Sequence, residues 1–107
     1  MELSTTIEFI KLYFKNRGIN LIFLYLFGSR ANGKNRIDSD YDFLLVCESL
    51  PKKSYKRNLI SGLRRFLLDN NAYLYMDLII KTKEEWDWES NNFGFLSYKI
   101  KQEGKLL

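Results

Sequence analysis

Three stretches of strand length, Leu21 to Phe27, about Tyr41 to Cys47, and Tyr73 to Ile80, set the architecture this chain can adopt. The first is a continuous apolar run bounded by Gly18 and Gly28, the pattern of a strand covered on both faces. Between the second and third, Tyr55, Leu59, Ile60, Leu63, Phe66 and Leu67 recur on one helical stripe, with Pro51 in the expected first turn and Asn70 and Asn71 at the end. A strand, helix, strand unit of this kind places the second and third strands parallel. Ahead of it, Thr5 and Glu8 have the spacing of a capping box, and Ile7, Ile10, Tyr13 and Phe14 form a helical stripe to about Arg17, where Gly18 supplies a left-handed stop. The expected fold class is α/β (α+β), a small mixed sheet of three to four strands with helices packed on one side, in one domain over residues 1–107.

Composition narrows the chemistry. At 107 residues, 46% of them hydrophobic, the chain can bury one core without staples. The lone cysteine, Cys47, sits in an apolar run; it forms no internal disulfide and fits a reducing cytoplasm. Neither a signal core nor an apolar run of roughly 20 residues is present, so no membrane association is expected. A net charge of +4, with basic residues around Lys34 to Arg36, Lys52 to Arg57 and residues 99–105, mildly favours an anionic ligand or partner, although most of these residues taken singly fit solvated surface charge equally well. Most restrictive is the absence of histidine, which removes the usual general base, the usual zinc ligand and every imidazole-dependent triad. Chemistry must therefore rest on carboxylates, whose hard oxygens favour magnesium or manganese.

Asp40 and Asp42 open the second strand at positions i and i+2, so their side chains share one side of the sheet. Two like charges held together call for a cation or a shared proton, although an isolated Asp-x-Asp also serves as an acidic turn. Asp77 lies in an otherwise apolar strand, where an unpaired charge is expensive unless that strand is an edge facing water. If the two strands are neighbours, all three carboxylates reach one cleft. Gly28-Ser29-Arg30-Ala31-Asn32-Gly33 follows the first strand directly; Gly28 allows close backbone approach, and Ser29 with the amides of a helix start suits phosphate oxygens.

Gly28-Ser29, ten intervening residues, Asp40-Tyr41-Asp42 and a third aspartate on a later strand together resemble the nucleotidyltransferase superfamily with the polymerase-beta-like catalytic core, most closely its minimal nucleotidyltransferase branch. The resemblance covers nearly the whole chain, its last helix and short terminal segment included. It implies that Asp40, Asp42 and Asp77 are catalytic and hold two magnesium ions, that Gly28, Ser29 and Arg30 bind the nucleotide, and that ATP is the donor substrate. By the same resemblance Asp77 is the candidate general base. One departure stands out: Asn32 occupies a position where minimal members often carry arginine, and Arg30, Lys34 or Arg36 are the available substitutes.

Minimal members typically pair as antitoxins with helical ribonuclease toxins of the HEPN class, and some transfer AMP to a toxin tyrosine. The resemblance therefore implies a magnesium-dependent protein adenylyltransferase acting on a cognate HEPN toxin. Two alternatives stay open: a catalytically weak antitoxin that neutralises its toxin by contact, and a transferase acting on a small molecule of the aminoglycoside type. So small a chain must borrow an acceptor-binding surface from another copy or another protein. The aromatic tail of Trp86, Trp88 and Phe93 is a candidate contact, or equally a set of rings packed across the sheet. No added element suits specific nucleic-acid binding.

Overall fold

A computed structural model describes residues 3–33, 40–52 and 54–107. The elements are α1 (Leu3–Asn16), β1 (Leu21–Phe27), α2 (Ser29–Asn32), β2 (Tyr41–Cys47), α3 (Tyr55–Asp69), β3 (Met76–Thr82), α4 (Lys83–Glu89), α5 (Leu96–Glu103) and β4 (Lys105–Leu106). They build a mixed sheet of order β3-β2-β1-β4. β2 and β3 run parallel, as the connecting helix requires, while β1 pairs antiparallel with both β2 and β4.

Strand alternation divides the interior into two layers. Leu24, Leu26, Phe43, Leu45, Cys47, Leu78 and Ile80 point to one face, where α1 contributes Ile10, Tyr13 and Phe14 and α3 contributes Leu59, Leu63 and Leu67. Leu44 and Val46 point to the other, against Trp86 of α4 and Ile100 of α5, with Phe23, Tyr25, Phe27 and Ile79 alongside. The long helices thus share one side, and the tail adds two short helices on the opposite one. α1 and α3 approach closely because Gly62 has no side chain: a methyl group there would collide with the Tyr13 hydroxyl, which donates to Leu59 O at 3.3 Å.

Three boundaries differ from those read in the sequence. α1 begins at Leu3, which packs on the core, so Thr5 lies inside the helix and does not cap it. Thr6, on the buried stripe, instead donates its hydroxyl to Ala72 O at 2.7 Å. Pro51 precedes α3 by a turn, and Ser54 takes the N-cap position. β3 starts at Met76, and just ahead of it Arg64 donates to the Tyr73 hydroxyl (3.2 Å) and to Met76 O (3.0 Å). The left-handed stop at Gly18 holds, with φ 69°, and Asn71, just past α3, is also left-handed at φ 54°. α4 opens with a capping box in which Thr82 and Glu85 exchange bonds.

Candidate active site

The site grows out of the sheet register. Asp42 is the second residue of β2, and its partner across the parallel pair is Asp77, while its partner across the antiparallel pair is Phe27. Two neighbouring strands therefore bring two carboxylates side by side, on the face occupied by Leu44 and Ile79 and covered further along by α4 and α5. Immediately after Phe27 the chain turns at Gly28, with φ 75° and ψ −156°. That backbone region is essentially reserved for glycine. The space is reserved as well, since a Cβ on Gly28 would stand 2.6 Å from Asp42 Oδ2. The carboxylate thus rests against the backbone of the glycine-serine turn, and α2 leads away from it to Gly33, left-handed at φ 75°.

Burial raises the Asp42 carboxyl above the usual aspartate range, and the charge of Asp77, a side-chain hydrogen bond with Asp77 and the charge of Asp40 all push the same way. Asp42 and Asp77 are thus in contact, while Asp40, exposed just ahead of β2, acts on Asp42 through space. Asp77 is also solvent-exposed on the edge strand, as the edge-facing-water reading has it, and lies beside Asp42 across the parallel pair. Among the described residues, no three histidine, cysteine, aspartate or glutamate side chains are already gathered into a metal-holding group. The donor set nonetheless fits a hard divalent cation, because acids that repel one another at a solvent-facing strand end are relieved by one.

Other expected residues fall as follows. Arg30 lies on α2 with its guanidinium carbon 4.3 Å from the centre of the Tyr41 ring and Nη1 donating to the Tyr41 hydroxyl at 3.3 Å. Lys34, Arg36 and the side chain of Asn32 lie outside the described residues. Trp86 is core, its ring 5.2 Å from that of Tyr25 and tilted by 30°, whereas Trp88 is 60% exposed and Phe93 89% exposed. Cys47 is buried, which pushes its thiol up to about 11, with Lys56 opposing; it is no nucleophile at neutral pH.

Next to Gly28 opens a cleft of about 380 Å³ between the end of β1 and α5, lined by Phe27, Gly28, Leu96, Lys99, Ile100 and Glu103. Sequence reasoning passed over Lys99 and Glu103. Their signal was the spacing 96, 99, 100 and 103, which puts them on one face of a helix. Tyr41, the residue between the paired acids, was likewise passed over.

The family model described as polymerase beta, nucleotidyltransferase matches residues 8–107. Among curated proteins no match is found. A solved structure described as a toxin-antitoxin with AMP-PNP resembles the fold at TM-score 0.57, with 18% identity over 92% of this chain and 69% of that one. A provisionally assigned nucleotidyltransferase from Sulfolobus solfataricus reaches TM-score 0.48, with 21% identity over 97% of this chain and 83% of that one, too low to establish a common fold.

Proposed function

Because the chain belongs to the polymerase beta nucleotidyltransferase family, we propose that it is an antitoxin that transfers AMP from ATP to a tyrosine hydroxyl of a cognate HEPN toxin. The observation that carries the reading is the contact among Asp42, Asp77 and Gly28: paired acids directly against a glycine-serine turn. In this reading Gly28 and Ser29 hold the β- and γ-phosphates, and Arg30 belongs to the same short nucleotide-binding helix. Asp40, Asp42 and Asp77 would hold two magnesium ions, which would supply the charge that stabilises the entering and leaving oxygens. The acceptor oxygen bonds to the α-phosphorus, the bond to the bridging oxygen of the β-phosphate breaks, and pyrophosphate leaves. The hydroxyl proton passes to Asp77, the exposed member of the pair and the one open to an incoming acceptor.

The toxin brings the acceptor, and the exposed Trp88 and Phe93 offer an apolar surface on which it docks. Incubation with ATP labelled at the α-phosphate, magnesium and the product of the neighbouring gene tests this directly. Label appears on that protein with wild type and is lost with Asp42→Asn. A toxin that stays unlabelled with wild type yet is inhibited favours the second reading, neutralisation by contact alone. That reading draws on Asn32, which replaces an arginine common in minimal members.

A further inference from the structure

We propose that Arg30 and Tyr41 form a clamp that holds the glycine-serine turn at a fixed place relative to the paired acids, so that both are positioning residues. A helix of four residues such as α2 has almost no stability of its own. Its internal support is a turn bond from Ala31 N–H to Gly28 O at 3.1 Å and one from the Gly33 N–H to Ser29 O, with Ala31 resting on the core. Something further must set its position, and the Arg30 side chain does so.

The chain of contacts runs from core to turn. Phe43 is fully buried; the Tyr41 ring lies parallel to it at 6.0 Å, tilted by 7°. Arg30 covers the Tyr41 ring at 4.3 Å and donates to its hydroxyl at 3.3 Å. The Tyr41 amide is itself anchored to Tyr75 O at 2.9 Å. Strand alternation gives this arrangement its purpose: Asp40 and Asp42 point to one face, and the residue between them points to the other. A single tripeptide thereby holds the acids on the front of the sheet while gripping the phosphate cradle from behind. Arg30 acts on nucleotide through Tyr41, by keeping Gly28 and Ser29 where Asp42 needs them.

The test compares wild type with Tyr41→Leu, Arg30→Met, the double variant and Tyr41→Phe in the full chain. Backbone ¹⁵N order parameters at residues 29–33, without nucleotide, are expected to fall from rigid values of about 0.85 to below about 0.6 in Tyr41→Leu and in Arg30→Met, with β2 unchanged. Tyr41→Phe keeps the ring face and is expected to stay near wild type. Unchanged order at residues 29–33, or loss spread equally through β2, overturns the clamp. The nucleotide consequence rests on the transferase reading: each single variant weakens ATP binding with magnesium by about 3- to 30-fold. The double variant is then no weaker than the worse single. Fully additive losses overturn the inference, because Arg30 then acts on the nucleotide independently of Tyr41. A wild type that binds no nucleotide refutes the transferase reading, and the order parameters still decide the clamp.

Discussion

Asp42 is the residue whose ionisation the fold resists. Burial, then Asp77 by charge and hydrogen bond, then Asp40, hold its carboxyl above the ordinary range. The folded state therefore binds a proton more tightly than the unfolded chain. Stability without metal is fully present below the ordinary aspartate pKa of about 4 and declines as pH rises through the raised value. Asp42→Asn should flatten that decline and raise the metal-free melting temperature at pH 7 while abolishing transfer. A variant melting at or below wild type would show that the acids do not strain one another. Glu85 has the opposite sign: burial raises its pKa, but the hydrogen bonds from Lys56 and the Thr82 amide and the charges of Lys56 and Lys81 bring it down overall. Its contribution is present at neutral pH and is lost on acidification. Gly28→Ala should cost about 1–3 kcal/mol in denaturant unfolding from backbone conformation alone, and it also displaces the Asp42 carboxylate.

Elements were legible where periodicity was strong and short-range. β1, β2 and the body of α3 declare themselves through apolar runs and a helical stripe, and the parallel pairing of β2 with β3 follows from the helix between them. The rest depends on partners distant in sequence. Two Thr-x-x-Glu spacings compete as capping boxes, at Thr5 and at Thr82, and packing of Leu3 and Thr6 decides against the first. Tyr73 and Tyr75 have strand character, yet β3 proper begins only at Met76; Tyr75 O accepts from the Tyr41 amide, and the Tyr73 hydroxyl accepts from Arg64. β4 is two residues long, with no period to read, and exists because α5 returns the chain to β1. Of the candidate site, Asp42, Asp77 and Gly28 could be named in advance, whereas Tyr41 could not, because a ring behind the acids has no signature of its own. At α4, Thr82→Val should remove the observed cap and cost about 1 kcal/mol, read as a lowered denaturation midpoint. An unchanged midpoint would mean that Trp86 alone holds the helix.

Across the whole molecule, the two sides of the sheet have different duties. The α1 and α3 side is closed by aliphatic and aromatic packing; the α4 and α5 side carries the paired acids at one end and exposed aromatic residues beyond them. Trp88 packs edge-on against Phe95, and Phe93 against Tyr98, so these rings are held ready at the surface. The variant with Trp88→Ser and Phe93→Ser should unfold within about 1 kcal/mol of wild type, each surface change counting for about 0.5 kcal/mol, yet, in the antitoxin reading, lose capture of the proposed toxin. Undiminished capture would place the docking surface elsewhere. ATP with magnesium at a hundred times its dissociation constant should stabilise wild type by about 2.7 kcal/mol, and Asp42→Asn much less.

The pairing of Asp42 with Asp77 has a last consequence. These residues meet only when β3 docks in one alignment, and a slip by a single residue would send Asp77 into the α1 and α3 layer. Ligands that need both carboxylates therefore act as a gauge of correct strand alignment. They reward the native register and ignore its nearest misfolded neighbour, so ligand binding and fold fidelity would be proofread by the same two side chains.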